Sequence, residues 1–146
     1  GEKRMFRKLA RRDRGFTMIE MMVVLIIIAI LIGAGIRFYS GYIDRSRITK
    51  ARSDIATMQA ALDAYYAENS NYPETDDLTS AGLPAGDDGV IDDSGDKVYT
   101  YKVKDDLSSY VVSTSNTVDG TNYVIGKGKN GRSEPPSLDD EIPNPE

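Results

Sequence analysis

A run of apolar residues from Phe16 to Ile36, interrupted by the single charge of Glu20, constrains this chain more than any other feature. As a helix the run is about 31 Å long at ~1.5 Å per residue. That matches the ~30 Å thickness of a bilayer's hydrocarbon core. A helix that is apolar all round must be covered on every side, by lipid or by protein. Ahead of it, Lys3, Arg4, Arg7, Lys8, Arg11, Arg12 and Arg14 form a basic stretch. Positive charge before an apolar segment holds that end in the cytoplasm, so the remainder of the chain is expected outside, behind a single pass through the inner or plasma membrane.

Charge divides the chain at the same place. Residues 1–15 carry seven Lys/Arg against two acids, and the rest carries eleven bases against twenty-one acids. The exposed part is therefore acidic, and nucleic acid is not indicated as a partner, because phosphate binding relies on clustered Lys and Arg. Cysteine and histidine are both absent. Disulfides, thiolate nucleophiles, Cys/His zinc sites and His general bases are thereby excluded, and no catalytic residue is assigned. The chain is not expected to be an enzyme.

A secretory signal places its small-residue cleavage site beyond the apolar region. Here the order is reversed. Gly15 stands between the charges and the apolar run, so a cut after it removes the basic leader and leaves the helix attached. Met5 reads as a start residue, giving a leader from Met5 to Gly15. The segment Gly15-Phe16-Thr17-Met18-Ile19-Glu20 resembles the type III signal of prepilins, in the superfamily of type IV pilins and type II secretion pseudopilins. The resemblance covers residues 5 to about 45. It implies cleavage after Gly15 by a prepilin peptidase, N-methylation of Phe16, and polymerisation into a helical filament, a homo-oligomer built with a membrane assembly platform and minor pilins. It also implies a final location in a pilus at the cell's outer surface or in a pseudopilus.

Glu20 is the physically demanding residue of that motif. A carboxylate near the bilayer centre costs ~2.5–3.5 kcal/mol on insertion scales and is retained where it has a partner or a function. Cleavage after Gly15 creates a cation, the Phe16 amine, close by. The resemblance implies that Glu20 compensates this amine during assembly and sets the axial register.

Beyond Ile36, the apolar residues Ile48, Ala51, Ile55, Met58, Leu62 and Tyr65 recur at steps of three and four, the stripe of an amphipathic helix. Asp44, Arg45, Arg47, Lys50, Asp54 and Asp63 are expected on the opposite face, toward solvent or other subunits. The helix is expected from about Thr17 to Glu68, stopped by Asn69, Ser70, Asn71 and Pro73. Arg37 stands where relatives often have proline, with Gly33, Gly35 and Gly41 as the positions where this helix is able to loosen or to pack closely.

Residues 73–96 hold eight acids and no base and read as a solvent-facing loop. Strands are expected at Lys97 to Lys104, Ser109 to Ser115 and Thr121 to Lys127, with turns at Asp105-Asp106 and Asp119-Gly120. The expected class is α+β, a long N-terminal helix packed against a small antiparallel sheet, as in pilins. The partition is a leader (1–15), a transmembrane or filament-core helix (16–36), its amphipathic continuation (37–68), an acidic loop (69–96), a sheet (97–127) and a tail (128–146).

The tail resembles, loosely, the C-terminal loop of major pseudopilins, which implies Ca2+ at Asp139 and Asp140. A second oxygen-dense candidate is Asp92, Asp93 and Asp96. No cofactor is required by either reading. Three functional classes are weighed: a structural filament subunit, which the prepilin motif favours; a membrane-tethered binding module or adhesive minor pilin; and an enzyme, which composition disfavours.

Overall fold

The structure, a computed structural model, describes residues 15–86 and 89–146. The leader up to Arg14, with Met5, and the acidic pair Asp87-Asp88 lie outside the described residues. The chain divides into two compact units, one reaching to Tyr42 and one from Ile43 to Glu146.

One helix, α1, runs from Met18 to Asn69, 52 residues. It continues through Gly33, Gly35, Arg37 and Gly41. Its end follows from local chemistry. Ser70 adopts φ 61, and its N–H donates to the Tyr66 carbonyl at 2.7 Å, the bond of a left-handed helix cap. The Asn69 side chain donates to the Tyr65 carbonyl at 3.0 Å and satisfies a second terminal acceptor.

In the first unit, the apolar side chains of α1 are all exposed. Val24, the least exposed of the large ones, is still 42% exposed, and Met18 reaches 84%. Among the described residues α1 is the one helix long and apolar enough to cross a membrane.

The second unit has its own core. Ala51, Ile55, Met58 and Leu62 of α1 are buried, as the stripe requires, together with Gln59. They face a seven-stranded antiparallel sheet: β1 (Ala85–Gly86), β2 (Gly89–Ile91), β3 (Lys97–Val103), β4 (Ser109–Thr114), β5 (Tyr123–Lys129), β6 (Arg132–Ser133) and β7 (Ser137–Asp139). The order is β1-β2-β3-β4-β5-β6, with β7 also pairing β5. Tyr101 opposes Val112 and Tyr110 opposes Gly128 on the face toward α1. Tyr72 fills the centre, with ring centroids 4.8 Å from Tyr66 and 4.7 Å from Tyr110. Its hydroxyl accepts the Gly131 N–H at 2.9 Å, and the Tyr101 hydroxyl donates to the Pro73 carbonyl at 2.7 Å.

Three expectations need correction. Residues 73–96 are more than a loop: they hold a 3-10 turn (Leu78–Ala81), β1 and β2, and they bury Leu78, Leu83 and Val90. The tail contributes β6 and β7 to the sheet. Asp54 and Asp63 do not simply face solvent. Asp54 accepts the Tyr99 hydroxyl, and Asp63 accepts the Ser133 hydroxyl at 2.7 Å. Ser133 has one proton and gives it to Asp63, so the Tyr110 hydroxyl must donate to Ser133. The sheet brings both hydroxyls to carboxylates at the edge of the apolar stripe.

Two consequences are measurable. A Cβ at Gly126 would lie 2.6 Å from Ile55 Cγ2 and 2.8 Å from Gln59 Nε2, so glycine is what lets β5 approach α1. Gly126→Ala is expected to destabilise this unit by about 1–3 kcal/mol, read by thermal melting. Burial is the main cause that raises the Tyr101, Tyr110, Tyr99 and Tyr72 hydroxyls above the usual phenol value. A group whose pKa is raised on folding stabilises fully below its unfolded pKa. The stability is therefore expected to hold up to about pH 10 and to fall as pH rises further, as the unfolded phenols ionise first. Circular dichroism with phenolate absorbance, followed together through an alkaline titration, checks this.

Candidate processing and assembly site

Gly15 has φ 73, in the left-handed region that glycine enters without a Cβ penalty. Among the described residues, its chain neighbours aside, no heavy atom lies within 4 Å of where its Cβ would sit, so the requirement is conformational. Phe16 follows and is 73% exposed. Then α1 begins, and its first turn closes on itself. The Glu20 N–H donates to Thr17 Oγ1 at 3.2 Å, and the Thr17 N–H donates to Glu20 Oε2 at 3.3 Å. This is a capping box: the N-cap threonine and the glutamate three residues on satisfy each other's free amide. The carboxylate also suits the positive end of the helix dipole.

The motif residues are therefore brought together within one turn. Glu20 is anchored to the amide next to Phe16, the residue whose nitrogen becomes an amine if the chain is cut after Gly15. Thr17 was not singled out from the sequence, although Thr17-Met18-Ile19-Glu20 carries the capping-box spacing. Its role was masked by reading Glu20 as a charge alone. Thr17→Val removes the hydroxyl acceptor and is expected to loosen the first turn by about 0.5–2 kcal/mol. Faster hydrogen exchange at the Glu20 amide, in the full chain in detergent micelles, would report it.

The acidic candidates are placed differently. Asp92 and Asp96 flank the β2–β3 turn, where Asp92 Oδ1 accepts the Ser94 and Asp96 N–H groups, both at 2.9 Å. Asp139 closes β7 and accepts the Glu141 N–H at 3.2 Å. That bond chiefly holds the Asp139 carboxyl below the usual carboxylate range, with help from Asp140 and Lys127. The two groups lie toward opposite ends of the sheet order. Among the described residues, no group of three or more acidic side chains is gathered as a metal site.

Residues 10–36 match the prokaryotic N-terminal methylation motif, which contains Gly15, Phe16, Thr17 and Glu20. Residues 38–125 match the family described as type IV minor pilin ComP, DNA uptake sequence receptor. Similar curated proteins include type II secretion system core protein G of Dickeya chrysanthemi, 38% identical over 68 residues, or 47% of this chain and 44% of that protein. The core protein G of Pseudomonas aeruginosa is 40% identical over 65 residues, covering 44% of this chain and 46% of its own length. That of Escherichia coli is 39% identical over 64 residues, 44% of each chain. The chain thus spans under half the length of these relatives. No solved structure matches it significantly.

Proposed function

Because the chain belongs to the type IV pilin and pseudopilin superfamily, within the family described as type IV minor pilin ComP, DNA uptake sequence receptor, we propose that it is a prepilin, cut after Gly15, N-methylated at Phe16 and polymerised into a type IV pilus or a type II secretion pseudopilus. The observation that carries this reading is the order of parts at the front of α1: a left-handed glycine, an exposed phenylalanine, a self-capped first turn and an uncovered apolar helix. Each part has a task in that sequence of events. Gly15 supplies a left-handed, side-chain-free cut point, and the cap keeps the helix start intact when the preceding residues leave.

The apolar surface of α1 then needs two coverings in succession. Lipid covers it in the precursor, with the basic leader on the cytoplasmic side beside the peptidase. Neighbouring copies cover it in the filament. There Glu20 would face the Phe16 amine of its own chain or the next, a pairing whose worth rises as water is excluded. The role is structural, with the assembly platform and minor pilins as partners, and no catalytic residue is needed.

The ComP family match favours a second reading, a minor subunit whose head, residues 43–146, binds a ligand. Abundance separates the two. Filaments sheared from cells and quantified by mass spectrometry should contain this chain as their main component. Its presence at trace level would favour the minor-subunit reading, and its absence would overturn both.

A further inference from the structure

The turn between β5 and β6 is Asn130-Gly131, closed by the facing pair Lys129 and Arg132. Both turn residues are left-handed, Asn130 with φ 51 and Gly131 with φ 82, which makes this a type I′ hairpin. The fold dictates both residue types. Asparagine enters the left-handed region more readily than most side chains. Glycine is required at its place by more than its φ, since a Cβ on Gly131 would lie 2.7 Å from Tyr66 Cδ1.

That requirement carries a chemical liability. With no side chain to shield it, the Gly131 nitrogen of a mobile chain attacks the side-chain carbonyl carbon of Asn130. The new bond closes a five-membered succinimide, the bond to the side-chain nitrogen breaks, and ammonia leaves with the proton of the Gly131 amide. Water then opens the ring on either side and gives aspartate or isoaspartate. Two features of the folded hairpin oppose this. At the usual left-handed ψ of about +47°, the Asn130 Cβ stands nearly opposite the Gly131 nitrogen across the Cα–C bond, so the ring closes only if the chain rotates out of the turn. The Gly131 N–H also donates to the Tyr72 hydroxyl at 2.9 Å, and Tyr72 is 0% exposed. The proton that must leave is thus held in the core, away from hydroxide. The preceding amide is held as well, Asn130 N–H donating to the Ser108 carbonyl at 2.9 Å.

We propose that Asn130 is a deamidation site guarded by Tyr72: it stays asparagine while the Gly131–Tyr72 bond is made and converts in chains whose β5–β6 hairpin has opened. The change is irreversible. Isoaspartate puts one extra carbon into the main chain of a two-residue turn, so the Lys129 and Arg132 pairing and the Tyr72 bond do not re-form in register. A head that has been open is thereby marked and kept from refolding. This concerns the lifetime of the head and rests on the second unit alone, so failure of a filament assay leaves it standing.

The test is incubation of the full chain in maltoside micelles at mildly alkaline pH, with and without urea, and peptide mass spectrometry to follow the exchange of amide for carboxyl at Asn130. Conversion in the folded chain is expected to be slower than in urea by roughly tenfold or more, because it waits on local opening. Tyr72→Phe keeps the ring and loses the hydroxyl. It is expected to convert about fivefold faster than the folded parent, the equivalent of one net hydrogen bond. Gly126→Ala is the control, since it loosens the same unit without touching the turn. Equal rates in the folded and urea-treated parent would overturn the proposal, and so would a Tyr72→Phe rate no greater than that of Gly126→Ala at matched loss of melting temperature. If Tyr72→Phe does not fold, hydrogen exchange of the parent decides: a protected Gly131 amide supports the guard, and exchange at the rate of an unstructured amide overturns it.

Discussion

Gly15→Val is expected to leave the basic leader attached to the subunit and to reduce filament yield to background. The reason begins with the backbone. Gly15 has φ 73, where a β-branched residue is a conformational outlier. A non-glycine L-residue held there is penalised by roughly 1–2 kcal/mol. Among the described residues, its chain neighbours aside, nothing lies within 4 Å of the missing Cβ, so the volume is tolerated there and the head should melt unchanged. The loss should appear only at processing. Gly15→Asn sharpens the point, since asparagine enters the left-handed region more readily than valine. Partial cleavage in the asparagine variant and none in the valine variant would tie processing to backbone conformation. Equal failure of both would mean that the peptidase requires the absence of a side chain. Normal cleavage and normal filaments in Gly15→Val would defeat the assignment of the cut.

The second large effect belongs to Glu20, where two roles have to be separated. Glu20 Oε2 accepts the Thr17 N–H, so the residue caps α1, and as a carboxylate it is available to an amine at Phe16. Glu20→Val loses both roles and is relieved of part of the ~2.5–3.5 kcal/mol that a carboxylate costs at the bilayer centre, Glu20 lying about one helical turn inside the apolar run. It should enter the membrane at least as well as the parent and assemble poorly. Glu20→Gln keeps an acceptor for the Thr17 amide, because a capping box accepts Gln in place of Glu, and loses the charge. If charge pairing drives assembly, Glu20→Gln fails nearly as badly as Glu20→Val. Breaking a buried pair by removing one partner costs about 3–5 kcal/mol, enough to empty the filament at ordinary subunit levels. Full yield with Gln and none with Val would reassign Glu20 to capping. Full yield with both would remove it from assembly altogether.

The front of the chain and the long helix were legible because each has a dense local signal. Expected bounds of Thr17 and Glu68 meet observed bounds of Met18 and Asn69, since the terminating chemistry of Asn69 and Ser70 is written in adjacent residues. β3 and β4 fell close to their expected ranges because Tyr and Val alternate with polar residues in β3 and because Tyr, Val and Thr are concentrated in β4. β5 lies two residues later than expected. Asp119 explains the shift at one end: its Oδ1 accepts the N–H groups of Thr121 at 2.9 Å and Asn122 at 2.7 Å, which holds both in the turn. At the other end Gly128 looks like a turn residue, yet it continues the ladder opposite Tyr110, whose ring occupies the space a Cβ would need.

What escaped was short or depended on contacts between distant residues. β1, β2, β6 and β7 are two or three residues each, below the length at which alternation is visible, and they sit among acids and prolines. Asp54 and Asp63 read as solvent-facing on a helical wheel, and only the sheet brings Tyr99 and Ser133 to them.

The central claim is that the chain loses its leader and becomes a filament subunit through its capped, apolar helix. The most direct measurement is the intact mass and N-terminal sequence of this subunit recovered from sheared filaments. The account predicts that the first residue is Phe16, carrying one methyl group on its nitrogen. Filament subunits that retain residues ahead of Phe16, or that begin at another position, would contradict it.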